Sequence, residues 1–577
     1  MCMIHATGPL LSVDLAARET TEEDIDDVLG EFVGGRGVAT KLAFDRVPFD
    51  ADPLGPENRV YLATGPLQHS QMSFTGRMNM TSVSPLTDGL ASSNAGGFLS
   101  RNFTGTGYAA VEFRGASDVP LAVHVRDDGV EFEEVPDLAG AAVPEVTAWA
   151  EETHGLEAEH LACIGPAGEN LVRYACVMTS ETRAFGRTGL GAVLGSKNLK
   201  VLTVDGDTEA DVEIDPIQTD VHREAATSDH VMKRQGTTSV TEYANEVEAL
   251  PTDYFSALSF DGVEGIGGDA VESKKYKKGT CSQCAFACKL PTRDEDAGVE
   301  TEGPEFETVM AWGSNQLVDD VVEVMKANDL CDRLGVDTIS AGDTMAAYLK
   351  SEDDLANPER ARELLRKAAA REGEVGDLLA EGVHRAAPEL GVEDWSVKGL
   401  EFAAHDGRTL NGQGLSFATS NRGADHMYAS FYSKEYPLVD AERAVDKRGL
   451  DGKAPMVAAA ENHNAVLDSA VACKFSRDFM TEDRLGQLLD ADYDDLLAVG
   501  ARVVELERAF NNRRGFDRAD DTLPYDIEGF DDALDEYYET RGWREDGVVP
   551  GLGEADAGVD AAGDRKSTRL NSSHVCS

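Results

Sequence analysis

The sequence predicts an α+β protein: a β-rich N-terminal domain over residues 1–208, followed by two mainly α-helical domains over 209–395 and 396–563. Three observations lead there. Short β-prone runs separated by Gly, Pro and Asp fill the N-terminal domain. The acidic stretch DGDTEADVEID (205–215) marks a change of character and reads as a linker. Beyond it, apolar residues recur at three and four spacing, the period of a half-buried helix. A length of 577 residues agrees with roughly three or four domains.

The strands are expected at RVYLAT (59–64), MNMTSV (78–83), YAAVEF (108–113) and LAVHV (121–125), and they should pack as sheets. Glycine is dense between them, at 34–37, 94–97 and 186–191. Each cluster is expected to let backbone N–H groups approach a ligand closely, as phosphate-binding nests do. Helical periodicity covers 318–330, 344–350, 360–379 and 496–510. Within it, Gly335 is placed to end one helix and Asp337 to N-cap the next. The boundary between the helical domains is set near Ser396. The tail 564–577, DRKSTRLNSSHVCS, is basic and rich in Ser and Asn, unlike everything before it; it reads as non-native adapter read-through and is set aside with Cys576.

Charge restricts the partners. With 106 Asp plus Glu against 53 Lys plus Arg, the formal net charge is -53, and the acids are spread along the chain. Phosphate backbones need a basic surface, so nucleic acid is not an expected partner. Dense like charge is tolerable where concentrated salt screens it, which points to a halophile's cytoplasm. No window approaches 18 uninterrupted apolar residues and the N-terminus lacks a secretory pattern, so no membrane span and a cytoplasmic location are expected. In that compartment grouped cysteines are metal ligands or redox groups more often than disulfides.

CSQCAFACK (281–289) places Cys281, Cys284 and Cys288 within nine residues. Thiolates at this spacing supply three corners of an iron–sulfur cubane, or most of a zinc knuckle. Either needs a fourth ligand, for which Cys331 and Cys473 are the candidates. In DRLGVD (332–337), Asp332 and Asp337 are either cap residues alone or also carboxylates that accept hydrogen bonds from an amine-rich ligand.

These motifs, together with ETEGPEFET (300–308), DSAVAC (468–473), IGPAGENLVRYA (164–175), TRAFGRTGLGAVLGSKNLK (182–200), TGRMN (75–79) and SPLTDGLASSNAGG (84–97), occur in an order that resembles the aldehyde:ferredoxin oxidoreductases over residues 9–551. The resemblance implies that the β-rich domain forms a base for a bis-pterin cofactor holding tungsten or molybdenum, beside one 4Fe-4S cluster, and it allows a magnesium ion bridging the pterin phosphates. Carried over residue by residue, it makes Cys281, Cys284, Cys288 and Cys473 the cluster ligands. It places Arg77, Asn94, Gly96, Arg183, Ala184, Gly186 and Arg187 on the pterins from the first domain, and Asp332, Asp337, Asp468 and Lys474 from the helical domains. The arginines suit phosphate oxygens, and the carboxylates suit pterin N–H edges.

The resemblance further gives Glu307 the part of base and His426, in NRGADH (421–426), that of hydrogen-bond donor. It implies oxidation of an aldehyde to a carboxylate with ferredoxin as electron acceptor, and it allows a homodimer. Two departures stand out. KAND (326–329) replaces a Glu-x-x-His run that serves a dimer-bridging metal in members that have one, and 364–366 offers no histidine, so that metal is not carried over. Val471 replaces the usual glycine of the DSAVAC motif, so the local backbone is expected to differ. The rival readings are a related enzyme with another substrate, such as glyceraldehyde phosphate or an aromatic acid derivative, and a non-catalytic zinc-stabilised or electron-carrying scaffold.

Overall fold

Two six-stranded sheets lie face to face in the N-terminal region of the computed structural model, which describes residues 3–437 and 444–554. The tail 564–577 lies outside the described residues. The strands are β1 (Leu10–Asp14), β2 (Glu19–Glu23), β3 (Val60–Ala63), β4 (Arg77–Val83), β5 (Leu90–Gly96), β6 (Ala110–Arg114), β7 (Leu121–Arg126), β8 (Gly129–Glu134), β9 (Leu161–Cys163), β10 (Val177–Thr179), β11 (Arg183–Phe185) and β12 (Leu199–Asp205). One sheet has the order β2-β1-β6-β3-β4-β5 and the other β11-β10-β9-β12-β7-β8. The pairs β1/β6 and β12/β7 are parallel; the other pairs are antiparallel.

Alternation along the strands decides what each face meets. Leu11, Val13, Val60, Leu62, Met78, Met80, Val111 and Phe113 of the first sheet form one buried cluster with Leu121, Val123, Val125, Leu202 and Val204 of the second. The intervening residues Leu10, Tyr61, Ala63, Val83 and Ala110 join a different cluster, made with Val38, Ala39 and Leu42 of the helix Gly35–Arg46 and with Val457, Val503 and Phe510 of the helices Lys453–Ala470 and Tyr493–Arg513. The first sheet is thus packed on both faces. At about 1.5–3 kcal/mol for each fully buried Val, Leu or Phe, these faces are a large part of what holds the helices on the base.

From Gln218 onward the chain is helical, apart from the hairpins Pro291–Asp294/Val299–Glu302 and Ser396–Val397/Leu400–Glu401. Helix grammar explains the boundaries. Asp320 caps Val321–Leu334 by accepting from Val322 N at 2.8 Å, and Gly335, at φ 71°, ends that helix. Asp337 caps Thr338–Ser351 by accepting from Ser340 N at 2.8 Å. The expected helical stretch 360–379 is two helices, Pro358–Ala370 and Gly373–Leu379, because Arg371 turns left-handed at φ 46°.

The glycine cluster at 34–37 does not open towards a ligand. It begins the helix Gly35–Arg46 and lets another part of the protein come close: a Cβ on Gly35 would lie 2.3 Å from the Asp468 carbonyl, and one on Gly65 2.7 Å from that of Ser469. The C-terminal end of the helix Lys453–Ala470 therefore seats directly on the β-rich domain. Arg36 fixes it, donating to Glu507 at 2.8 and 2.7 Å and to Asp468 at 3.2 Å in a buried network.

Candidate functional site

Four cysteines meet where the β-rich domain touches the helical domains. The loop carrying Cys281, Cys284 and Cys288 is pinned to β5: Ser282 N donates to the Gly97 carbonyl at 2.9 Å, and a Cβ on Gly96 would stand 3.2 Å from Cys281 Sγ. The glycines at 94–97 thus let the protein's own cysteine loop come close to the sheet. Cys473 arrives from the other side, its N–H donating to the Phe74 carbonyl at 2.7 Å. Phe74, Phe286 and Phe479 pack together, with centroids 5.2–5.5 Å apart, and Cys284, Cys288 and Cys473 rest against that apolar cluster. Cys331 is elsewhere, fully buried in the helical core with Val324 and Ala327.

Val471 adopts φ 60° and ψ 34°, the left-handed conformation that glycine favours, at the end of the helix Lys453–Ala470. Cβ crowding there costs roughly 1–2 kcal/mol, and the docking around Gly35 and Gly65 enforces it.

Arg77 lies opposite Gly96 in the β4/β5 register and donates to the Asn94 carbonyl at 3.1 Å. Its guanidinium is held strongly protonated, first by Cys473 and then, against burial, by Cys281 and Asp468. Asn94 accepts from Asn79 Nδ2 at 3.3 Å, which orients its amide. On the second sheet Arg183 opens β11. Burial opposes its charge, but Glu302 and Cys281 raise its pKa, and it contacts Glu302 and the Thr280 carbonyl. Ala184 is half-buried beside it, opposite Met178. Gly186 accepts from Ser93 Oγ at 2.9 Å and leaves room facing Asp337, whose Oδ1 would be 3.6 Å from an added Cβ. Arg187 donates to the Ala424 and Glu401 carbonyls, and its Nε lies 3.7 Å from Asp337.

The helical side supplies carboxylates. Asp337 is therefore both a helix cap and a neighbour of Arg187. Asp332 is half-buried, accepts from Asn328 at 3.1 Å, and has its pKa pushed well up by desolvation and then by Asp329 and Glu302. Asp468 takes both bonds of Lys474 Nζ at 2.9 Å, besides Arg36. Burial lowers the Lys474 pKa in spite of that partner.

Glu307, in the helix Phe306–Trp312, faces two histidines. Its Oε1 lies 3.3 Å from His426 Nε2 and 3.7 Å from His405 Nε2, while Oε2 accepts from Ala404 N at 2.6 Å. The His426 loop is held by hydrogen bonds: Asp425 Oδ1 accepts from Met427 N and Tyr428 N at 2.8 Å, and Arg422 donates to the Ser92 carbonyl of β5 at 2.7 Å. The sequence reading missed His405. It sits at φ 68°, stacks on Tyr432 with centroids 3.6 Å apart, and is kept neutral by burial, with His426 and Arg477 adding to the effect. No motif surrounds it; only a fold that joins residues 307, 405 and 426 exposes its position.

The residues fit the groups that the sequence reading expected. The Nε atoms of Arg183 and Arg187, Ser180 Oγ and His426 Nδ1 are buried with no hydrogen-bond partner, so donors remain uncommitted where an anionic, polar molecule would sit. The thiols of Cys284 and Cys288 are pushed upward in pKa by burial, and metal coordination is the ordinary way to hold such buried thiolates. No three of the four sulfurs lie within 4.8 Å of one another, whereas a tetrahedral zinc ion would bring them to about 3.8 Å.

Comparison with known proteins adds independent findings. The family model described as "Aldehyde ferredoxin oxidoreductase, N-terminal domain" matches residues 10–206, and "Aldehyde ferredoxin oxidoreductase, domains 2 & 3" matches 216–551. A tungsten-containing aldehyde ferredoxin oxidoreductase of Pyrococcus furiosus is 33% identical over 593 residues, covering 94% of this chain and 97% of that protein. Its counterpart in Thermococcus kodakarensis is 33% identical over 595 residues, with the same shares of each chain. A more distant relative, the WOR-like subunit of an aliphatic sulfonate oxidoreductase from Pyrococcus furiosus, is 26% identical over 532 residues, 82% of this chain and 80% of that one. Among solved structures, the active-site complex BamBC of benzoyl coenzyme A reductase superposes with a TM-score of 0.79 at 21% identity, covering 95% and 96% of the two chains, and shares the fold.

Proposed function

The chain belongs to the aldehyde ferredoxin oxidoreductase family, and on that premise we propose that it oxidises aldehydes to carboxylic acids with a ferredoxin as acceptor. The observation that carries the reading is Glu307 facing His426 at 3.3 Å, in a loop whose Ala424 carbonyl accepts from Arg187. Arg77, Arg183 and Arg187 would bind the phosphates of a tungstopterin, with a magnesium ion between them, while Asn94, Gly96, Ala184 and Gly186 line its approach. Asp332, Asp337, Asp468 and Lys474 would take its polar edges, and an N–H donor there would offset the Asp332 charge. Cys281, Cys284, Cys288 and Cys473 would hold a 4Fe-4S cluster. When bound, tungsten, or molybdenum in its place, and the cluster supply the two-electron oxidation and the one-electron relay.

Conversion of RCHO and water to RCOO⁻ releases two electrons and three protons, so a base beside the carbonyl is required. Glu307 is that base. The Ala404 N–H fixes one of its oxygens, leaving the other directed at the histidines. His426 donates to the carbonyl oxygen and orients it. His405, held uncharged by burial, positions Glu307 without neutralising it. The stacked Tyr432 closes the apolar wall behind them and keeps bulk water away.

The test is metal content after anaerobic purification, followed by an aldehyde panel with ferredoxin or a viologen dye. Tungsten or molybdenum with about four iron per chain and turnover of aldehydes are expected; zinc alone would remove the reading. The aliphatic sulfonate relative supports a second reading, a different substrate on the same site. Metals present without aldehyde turnover would favour it.

The same proposal places the protein in the cytoplasm of a salt-accumulating cell, on the strength of the -53 charge. No helix among the described residues is long and apolar enough to cross a membrane. Raising KCl from about 0.1 to about 2 M, which shortens the Debye length from ~10 Å to under ~3 Å, should raise Tm. An unchanged Tm would sink the halophile reading.

A further inference from the structure

We propose that His124, Glu133 and His154 bind one zinc ion, remote in role from the redox site, that ties the edge hairpin of the second sheet to the helix behind it. The three side chains come from separate elements: His124 from β7, Glu133 from the edge strand β8, and His154 from the last residue of the helix Val143–His154. Their ligand atoms all lie within 4.8 Å of one another. Glu133 Oε2 is 3.3 Å from His124 Nε2 and 3.0 Å from His154 Nε2. A tetrahedral ion with zinc–nitrogen and zinc–oxygen bonds of about 2.0–2.2 Å places its ligand atoms about 3.3–3.5 Å apart, close to what is seen.

Hydrogen bonding alone leaves the cluster unsatisfied. His154 Nε2 is buried and has no hydrogen-bond partner, although the carboxylate oxygen is 3.0 Å away, so the pair is misaligned for a shared proton. A cation on the lone pairs of both rings and the carboxylate accounts for that approach. His124 is held for the role: Thr203 lies opposite it in the β12/β7 register, and Thr203 Oγ1 meets His124 Nδ1 at 2.8 Å, the outer contact that directs Nε2 inward. Trp149 walls one side, 4.9 Å from the His154 ring and 6.4 Å from that of His124. His124 is fully buried, His154 is 19% exposed and Glu133 35%, so the fourth position opens to solvent on the glutamate side and takes a water.

Two imidazoles select against magnesium and calcium, which take oxygen ligands, and in favour of a borderline ion. The mechanical effect is specific. β8 has a partner on one side only, and its tether to the helix stops the edge from fraying or pairing with another chain.

The experiment uses the holoenzyme, freed of loosely bound metal by a chelator with iron and tungsten contents checked before and after. Zinc chloride is then added, and zinc per chain, Tm and the zinc X-ray absorption spectrum are read. The wild type should retain about one zinc per chain, with a nitrogen and oxygen shell at about 2.0–2.1 Å and a higher Tm. His154→Gln should weaken zinc binding by roughly a hundredfold or more and abolish the Tm rise, and Thr203→Val should weaken it by about 10–100-fold. If His154→Gln does not fold, Glu133→Gln, at the exposed side of the cluster, carries the same expectation. A wild type that binds no zinc, binding unaffected by the ligand substitutions, or a sulfur shell at about 2.3 Å would overturn the proposal.

Discussion

Replacing Glu307 with glutamine should lower kcat by about 10²–10⁴-fold while tungsten and iron contents stay at the wild-type level. The side chains are isosteric, so the bond from Ala404 N to the Glu307 oxygen and the contact with His426 can both persist. What disappears is the group that accepts a proton. A fall in kcat with KM and metal content unchanged is a result that a merely structural role would not produce. Undiminished turnover would remove Glu307 from the role of base. His426→Asn provides a useful contrast, since it removes the facing donor and leaves the carboxylate in place.

Cys473→Ser should prevent a stable cluster from accumulating, with iron falling from about four per chain to a small fraction of that. Cys331→Ser should leave iron unchanged, because Cys331 is buried in the helical core, in a different cluster from Cys284, Cys288 and Cys473. The readouts are iron content and the visible absorption of the anaerobically isolated protein. Full iron in Cys473→Ser would place the fourth ligand elsewhere. The substitution has a second consequence, since Cys473 is the strongest electrostatic partner of the Arg77 guanidinium. Loss of tungsten together with iron would show that the two sites depend on each other.

Both predictions concern residues singled out at the level of sequence, some by local pattern and Glu307, His426 and Cys473 by the family resemblance. The spacing of Cys281, Cys284 and Cys288 survives folding because a short loop keeps its thiols together. Asp332, Gly335 and Asp337 follow helix-end rules, so their turn was legible, and the structure shows that capping does not prevent Asp337 from also facing Arg187. The strands at 60–63, 77–83, 110–114 and 121–126 lie where alternation and turn residues placed them, to within a residue or two. The choice between Cys331 and Cys473, in contrast, depends on how helices dock, which no local pattern encodes. His405 was invisible for the same reason. Its neighbours Glu307 and Tyr432 are far away in the chain, and its left-handed φ comes from the surrounding packing. The glycines at 34–37 misled because a close approach of the protein's own backbone and a close approach of a ligand demand the same residue.

The wide separation of the thiols along the chain has a consequence for biogenesis. On the proposed reading the fourth corner is Cys473, which follows the helix Lys453–Ala470 seated on Gly35 and Gly65, so it depends on contacts between distant parts of the polypeptide. At the usual ~5–20 residues per second of synthesis, Cys281, Cys284 and Cys288 emerge roughly 10–40 s before their partner exists. During that interval a nascent chain offers three exposed thiols and no closed chamber, vulnerable to oxidation and to stray metal ions. On the proposed reading, the cluster can therefore close only after Cys473 has been synthesised, late in the making of the chain.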